Sequence, residues 1–196
     1  MLEGTVVGKR AVVAAAVVLA SLVVLSGCGG DVTPLPVTPP TSRLLPHGAP
    51  VVAAPLDFTA FYNESCLALT PEQRSELGLT EGHPEARRPG AECTYAVVGE
   101  DGDHLVDIWF AKTGLVDEYE ANAAGVYRRW GPRDFDGYPG VVLDGELKGT
   151  RAVIGLSDTT TVHVWCRDQA ARPDAGACGL VARIAPAVLA TVRAAQ

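Results

Sequence analysis

Residues 93–111 read CTYAVVGEDGDHLVDIWFA, and this stretch predicts a β-hairpin near the middle of the chain. Apolar and β-branched residues flank a turn of Gly, Glu and Asp, which is the usual signature of two antiparallel strands. The expected strands cover 93–98 and 104–111, with the turn at 99–103. An antiparallel sheet is therefore the expected centre of the fold.

The sequence after the hairpin predicts a helix, three strands and a final helix. Residues 115–130 carry an apolar stripe at helical spacing, with acidic residues early and arginines late, as the helix dipole favours. The stripe consists of Leu115, Tyr119, Ala123, Val126 and Trp130. The strands are expected near 140–144, 150–156 and 159–167, and the last helix at 177–194.

A short helix is predicted before the hairpin. The sequence TPEQ at 70–73 is a capping box with proline at the first helical position, and Gly78 suits the end of a helix over 71–77. The order of elements predicts a single α+β domain over 56–196. Its antiparallel sheet of about five strands would pack with two or three helices.

The N-terminus has the pattern of a bacterial lipoprotein signal. Lys9 and Arg10 precede an apolar run over 11–25, which is shorter than the roughly 20 residues of a membrane-spanning helix. The sequence LSGC that ends at Cys28 resembles a lipobox. We expect residues 1–27 to be cleaved and Cys28 to carry a diacylglycerol. The alternative is an ordinary secretory signal in which Cys28 occurs by chance.

Residues 28–55 are expected to be a disordered tether between the lipid and the domain. They hold seven of the 14 prolines and show no apolar periodicity. Such a segment does not bury enough apolar surface to offset its ordering entropy. In a polyproline II conformation it would span about 80 Å, at roughly 3.1 Å per residue.

The charge of the chain bears on its partners. The full sequence has 23 acidic and 16 basic side chains, a net charge of −7. Cleavage would remove Glu3, Lys9 and Arg10, leaving 22 against 14 and a net charge of −8. This charge disfavours nucleic acid. The expected location is the extracytoplasmic side of the cell membrane, with an unidentified envelope protein or small ligand as the partner.

The cysteines predict two disulfides. If the lipid takes Cys28, an even number remains in an exported chain, which favours disulfides over free thiols. No C-x-x-C pair is present, so a zinc site is not expected. Four cysteines allow three pairings. The nearest-neighbour pairing is preferred, and it joins Cys66 to Cys93 and Cys166 to Cys178.

Several of these motifs together resemble a known family. They are CLALTPEQ at 66–73, LGL at 77–79, CTY at 93–95, and the late cysteines at the start of an apolar helix. With the lipobox, they resemble the actinobacterial lipoproteins catalogued as domain of unknown function 3558, over roughly 60–193. Tyr95 stands where tryptophan is expected in that family. The resemblance implies an exported α+β domain with paired cysteines, and it implies no reaction.

No catalytic motif is present in the sequence. It contains no G-x-S-x-G, H-E-x-x-H, phosphate-binding loop or dinucleotide glycine pattern, and its four histidines are scattered. We therefore predict no catalytic residue, no metal site and no cofactor. Whether the chain is an enzyme stays open at this point, and a binding role fits the sequence better.

One set of residues is a candidate ligand site. Asp107 and Trp109 share one face of their predicted strand, and His163 and Trp165 share one face of theirs. If the two strands are neighbours, these four residues form one surface, here called the tryptophan patch, which suits an apolar or sugar-like ligand. The alternative is that the helix at 115–130 or the C-terminal helix covers this face.

The preferred function is thus a non-catalytic ligand- or protein-binding module of the cell envelope. The alternatives are an envelope hydrolase with dispersed catalytic residues and a structural spacer of the cell wall.

Overall fold

The computed structural model describes residues 44–86, 90–97, 104–144, 149–168 and 179–196. Their centre is a seven-stranded antiparallel sheet with the order β1-β2-β3-β7-β6-β5-β4. The strands are β1 His83–Ala86, β2 Ala91–Ala96, β3 His104–Ala111, β4 Arg129–Phe135, β5 Tyr138–Asp144, β6 Thr150–Ser157 and β7 Thr160–Asp168.

Among the described residues, four α-helices accompany the sheet. They are α1 Thr59–Tyr62, α2 Pro71–Leu77, α3 Leu115–Ala123 and α4 Val181–Ala194. Two 3-10 helices span Pro46–Gly48 and Ser65–Ala68. Within the part of the chain that the structure describes, no helix is long and apolar enough to cross a membrane. The predicted α+β single domain with an antiparallel sheet is confirmed.

The predicted numbers of strands and helices were too low. The sheet has seven strands rather than about five, and the two unexpected strands, β1 and β4, are its edges. Each contains a proline, Pro84 in β1 and Pro132 in β4. Proline lacks the N–H of the strand ladder and is tolerated at sheet edges. A search for uninterrupted β-forming runs therefore misses both strands.

The capped helix and the two strands of the central hairpin form, with β2 two residues earlier than predicted, and the predicted turn at 99–103 lies outside the described residues. β2 and β3 pair antiparallel, with Thr94 opposite Asp107. At the start of α2, the hydroxyl of Thr70 accepts a hydrogen bond from the backbone N–H of Gln73 at 3.2 Å, and the Gln73 side chain accepts one from the N–H of Thr70 at 2.8 Å. The Gln73 amide also donates to the carbonyl of Ala187 at 3.0 Å, so the cap joins α2 to α4. The helix ends at Gly78, whose φ is 68°.

The helix predicted over 115–130 is shorter than expected. α3 ends at Ala123, and Gly125 turns the chain with a φ of 77°. Trp130 then lies on β4 and packs edge-on against Tyr119, with ring centroids 5.0 Å apart. The apolar stripe was a correct sign of packing only in part, because Leu115, Tyr119 and Trp130 belong to the smaller core whereas Ala123 and Val126 are exposed. A tight turn, rather than continued helix, brings Trp130 into contact with Tyr119. The last three strands lie close to their predicted positions, and α4 begins at Val181.

The helices pack against opposite faces of the sheet. The larger core joins α1 and α4 to one face, with Val106 and Val164 among its buried strand residues. The smaller core packs Leu115 of α3 against Val141 and Val153 of the other face. These are called the α4 face and the α3 face below.

The domain begins earlier than the predicted boundary at residue 56. Ala49 is fully buried in the smaller core, the N–H of Val52 donates to the carboxylate of Asp158 at 2.9 Å, and the N–H of Leu56 donates to the carbonyl of Leu156 at 2.8 Å. Apolar side chains between the prolines supply the burial that was not expected of a tether. The rest of the predicted tether, 28–43, and the predicted signal, 1–27, lie outside the described residues.

Candidate functional site

The structure brings the four residues of the tryptophan patch together. β3 and β7 are neighbours, and their register places Asp107 opposite Trp165 and Trp109 opposite His163. His163 also lies opposite Val153 of β6. Directly opposed residues of an antiparallel pair point to the same side, so the patch lies on the α3 face.

Asp107 is a fully buried carboxylate held by two neighbours. Its Oδ1 accepts hydrogen bonds from the Thr94 hydroxyl at 2.8 Å and from Nη2 of Arg167 at 2.8 Å. Nε of Arg167 pairs with the other carboxylate oxygen, so the guanidinium binds with two nitrogens. A buried charge is tolerated when it has a partner of this geometry. The sequence analysis missed Arg167.

Arg167 also contacts Trp165. The guanidinium carbon lies 5.5 Å from the centroid of the indole ring, within range of a cation–π interaction. Its side chain is 33% exposed, and Trp165 is half-buried. The ion pair with Asp107 therefore holds the partly exposed side chain of Arg167 beside the half-buried Trp165.

Trp109 and His163 form the second half of the patch. Their rings stack with centroids 4.6 Å apart and an interplanar angle of 12°. His163 is buried, and its Nε2 lies 2.9 Å from the hydroxyl of Thr161. Trp109 is half-buried. The buried imidazole thus covers one face of an indole that belongs to a half-buried residue.

A polar cluster from α3 and β6 adjoins His163. Glu118 accepts hydrogen bonds from the Tyr127 hydroxyl and from Nη2 of Arg151, the latter at 3.1 Å, and its Oε1 lies 4.0 Å from Nδ1 of His163. Burial, reinforced by Glu118, raises the pKa of Tyr127 to about 12, so Tyr127 stays a donor at neutral pH. No local sequence pattern predicts this cluster, because Glu118, Tyr127 and Arg151 lie on separate parts of the chain.

The state of His163 leads to a pH-dependent prediction. Burial, together with the positive charge of Arg151, holds the pKa of His163 well below its usual value. Folded His163 stays neutral, whereas in the unfolded chain it takes up a proton below about pH 6.5. The contribution of neutral His163 to the free energy of unfolding is therefore fully present above that pH and is lost as the pH falls. Urea unfolding from about pH 7.5 to about pH 5.5 should show a loss of stability on the order of 1 kcal/mol that is absent in His163→Gln.

The matched control for this prediction is His83→Gln, at an exposed position on β1. This variant should keep the pH dependence of the original protein. If His163→Gln loses stability on acidification as steeply as the original protein does, His163 is not the group responsible.

The side chains around His163 do not make a reachable catalytic site. Thr161, His163 and Glu118 stand in the order of a nucleophile, a base and an orienting carboxylate. However, Thr161 is fully buried, and the 4.0 Å between His163 and Glu118 exceeds a hydrogen bond. Among the described residues, no group of three or more His, Cys, Asp or Glu is arranged to hold a metal ion.

The cysteines are partly described. Cys66 and Cys93 form a disulfide that joins the second 3-10 helix to β2, with Cα atoms 5.0 Å apart. Cys166 on β7 is disulfide-bonded too. Its predicted partner, Cys178, lies outside the described residues, so that pairing stays a prediction. Cys28 lies outside them as well.

Comparison with known proteins places the chain in a family. Residues 23–191 match the sequence profile of a family described as protein of unknown function (DUF3558). No curated protein and no solved structure matches the chain. The match covers most of the chain and includes both the tryptophan patch and the disulfide between Cys66 and Cys93. It begins further upstream than the resemblance over 60–193 implied. The chain therefore belongs to the DUF3558 family.

Proposed function

We propose that the chain is an exported lipoprotein, held by a lipid on Cys28 at the extracytoplasmic side of the cell membrane. Its domain binds a small ligand or an envelope protein through the tryptophan patch. The proposed role is binding rather than catalysis.

The anchor rests on the order of features at the N-terminus. A basic pair, an apolar run of signal-peptide length and the sequence LSGC follow one another within residues 9–28. A disulfide in the domain fits an oxidising compartment outside the cytoplasm.

The binding role rests on one observation above all, the two half-buried indoles on neighbouring strands of the α3 face. α3 packs against β5 and β6 on this face, and α1 and α4 pack against the opposite face. Trp109 and Trp165 retain accessible surface beside a buried ion pair. Tryptophan and arginine are enriched in binding sites, where a rigid aromatic surface and fixed polar groups act together.

The alternatives have less support. For a hydrolase, the suggestive arrangement of Thr161, His163 and Glu118 among the described residues has its hydroxyl, that of Thr161, fully buried. For a spacer of the cell wall, a featureless surface would suffice, whereas this face carries two half-buried indoles beside an arginine that Asp107 holds in place.

Replacing both tryptophans tests the binding role. Trp109→Ala combined with Trp165→Ala should lower retention of the bound species by about tenfold or more, since truncation of a central aromatic anchor typically costs 1.4 kcal/mol or more. The measurement is quantitative capture from membranes with lipidated protein. Membrane anchoring should be unchanged, because the change is remote from Cys28 in sequence.

Two control variants distinguish a loss of binding from unfolding. The double Trp→Phe variant retains aromatic packing and should fold while binding more weakly. Leu67→Ala, which removes a side chain 54% exposed away from the patch, should bind normally. If the double Trp→Ala protein unfolds while the Trp→Phe protein binds fully, the indoles serve only packing.

A further inference from the structure

We propose that the tryptophan patch, with Arg167, binds a neutral saccharide. This inference rests on the proposed binding role and narrows it to one chemical class. It follows from the charges around the indoles, from their arrangement on the sheet and from the position of β3 and β7 within it.

The charges of the patch disfavour charged ligands of either sign. Both arginines near the indoles already pair with a carboxylate, Arg167 with Asp107 and Arg151 with Glu118. An anionic ligand would compete with those carboxylates and would also approach Glu92, which is buried on β2 opposite Trp109. A cationic ligand would meet the guanidinium groups beside the indoles. A neutral ligand avoids both penalties.

The arrangement of the side chains suits a pyranose ring. Trp109 and Trp165 occupy diagonal positions on adjacent strands, typically about 7–8 Å apart between backbones. A sugar has a flat apolar face that packs on an indole and a rim of hydroxyl groups that exchange hydrogen bonds with planar side chains. Arg167 supplies such a group, since Asp107 fixes its guanidinium and the arginine side chain as a whole is one-third exposed.

Other neutral partners fit less well. β3 and β7 are interior strands, each paired on both sides, so neither offers a free backbone edge to an added peptide strand. An acyl chain would form no hydrogen bond with Asp107 or Arg167. It would also cover the partly exposed, charged side chain of Arg167, which costs desolvation free energy.

Titration with defined oligosaccharides tests the inference. The neutral probes are chitohexaose and cellohexaose, and the charged probes of similar length are chitosan hexamer, a cation, and hexagalacturonate, an anion. Binding to the full-length protein is followed by tryptophan fluorescence and calorimetry. We expect at least one neutral probe to bind, and to bind about tenfold or more tightly than either charged probe.

Two variants connect the binding to these side chains. Trp109→Phe and Arg167→Lys should each weaken binding of the neutral probe by about tenfold. The first variant has a smaller aromatic surface for stacking, and the second loses the two-nitrogen contact of the guanidinium with Asp107. Arg133→Ala, at an exposed position of β4, should bind like the original protein. Circular dichroism checks that each variant is folded.

The outcomes separate this inference from the proposed function. If no neutral probe binds at millimolar concentration, or if a charged probe binds more tightly, the saccharide inference is wrong. It is also wrong if folded Trp109→Phe and Arg167→Lys bind normally. In those cases the proposed function still stands when capture from membranes depends on the tryptophans, and it falls when that capture does not.

Discussion

Replacing Cys28 with Ala is expected to abolish lipid attachment. In the proposed maturation, the thiol of Cys28 takes the diacylglycerol, and cleavage before this residue depends on that modification. Alanine has no sulfur to form the thioether, and the next cysteine, Cys66, lies within the folded domain in a disulfide. The variant should accumulate uncleaved or leave the membrane fraction. Intact mass and membrane fractionation measure both effects.

Ser26→Ala is the matched control for this prediction, because it exchanges one small residue for another two positions from Cys28. It should be processed and retained like the original protein. A Cys28→Ala protein with the mature mass and membrane retention of the original would show that the lipoprotein assignment is wrong.

Removal of the disulfide between Cys66 and Cys93 should lower the free energy of unfolding by about 3.5 kcal/mol. The two residues are 27 positions apart, and the chain-entropy estimate for a loop of that length gives about this value. It is a large part of the roughly 5–15 kcal/mol of stability that is typical of a domain. The measurement is urea unfolding of the double Cys→Ala variant, with the original protein kept oxidised.

The single variant Cys66→Ala is the control for lost packing at Cys93, which is fully buried. Since either change breaks the disulfide and opens the loop, the single and the double variant should show similar losses in the free energy of unfolding. A loss of stability below about 1 kcal/mol in the double variant would contradict the prediction. It would mean that structure retained in the unfolded chain already restricts this loop, so that the disulfide adds little stability.

The parts of the fold that the sequence predicts are those with local signals. The capping box at 70–73 and the paired strands of the hairpin depend on neighbouring residues. The capping box forms in the predicted place, and the strands pair as expected, with β2 two residues early. The end of α3 was predicted too late, because the stripe that includes Trp130 does not distinguish a continued helix from a turn that leads to the same contact. The burial of Ala49 was missed because prolines dominate its surroundings.

The candidate site could be predicted only in part. Strand alternation has a period of two, so it placed Asp107 with Trp109 and His163 with Trp165 on their faces. The partners that fix these residues were not predictable from sequence. Asp107 and Arg167 are 60 positions apart, and Glu118 and Arg151 are 33 apart. Such contacts depend on strand order, which no local pattern reveals.

The prolines in the edge strands affect how copies of the protein behave when they are crowded. An exposed edge strand offers its backbone groups to any similar strand, and growth of a sheet from molecule to molecule begins in this way. Pro84 lies in β1 and Pro132 in β4, and proline on an edge strand is one of the features that discourage such pairing. Copies concentrated on one surface should therefore remain separate molecules. The interior strands that carry the indoles, β3 and β7, would then not become part of aggregates that form through the sheet edges.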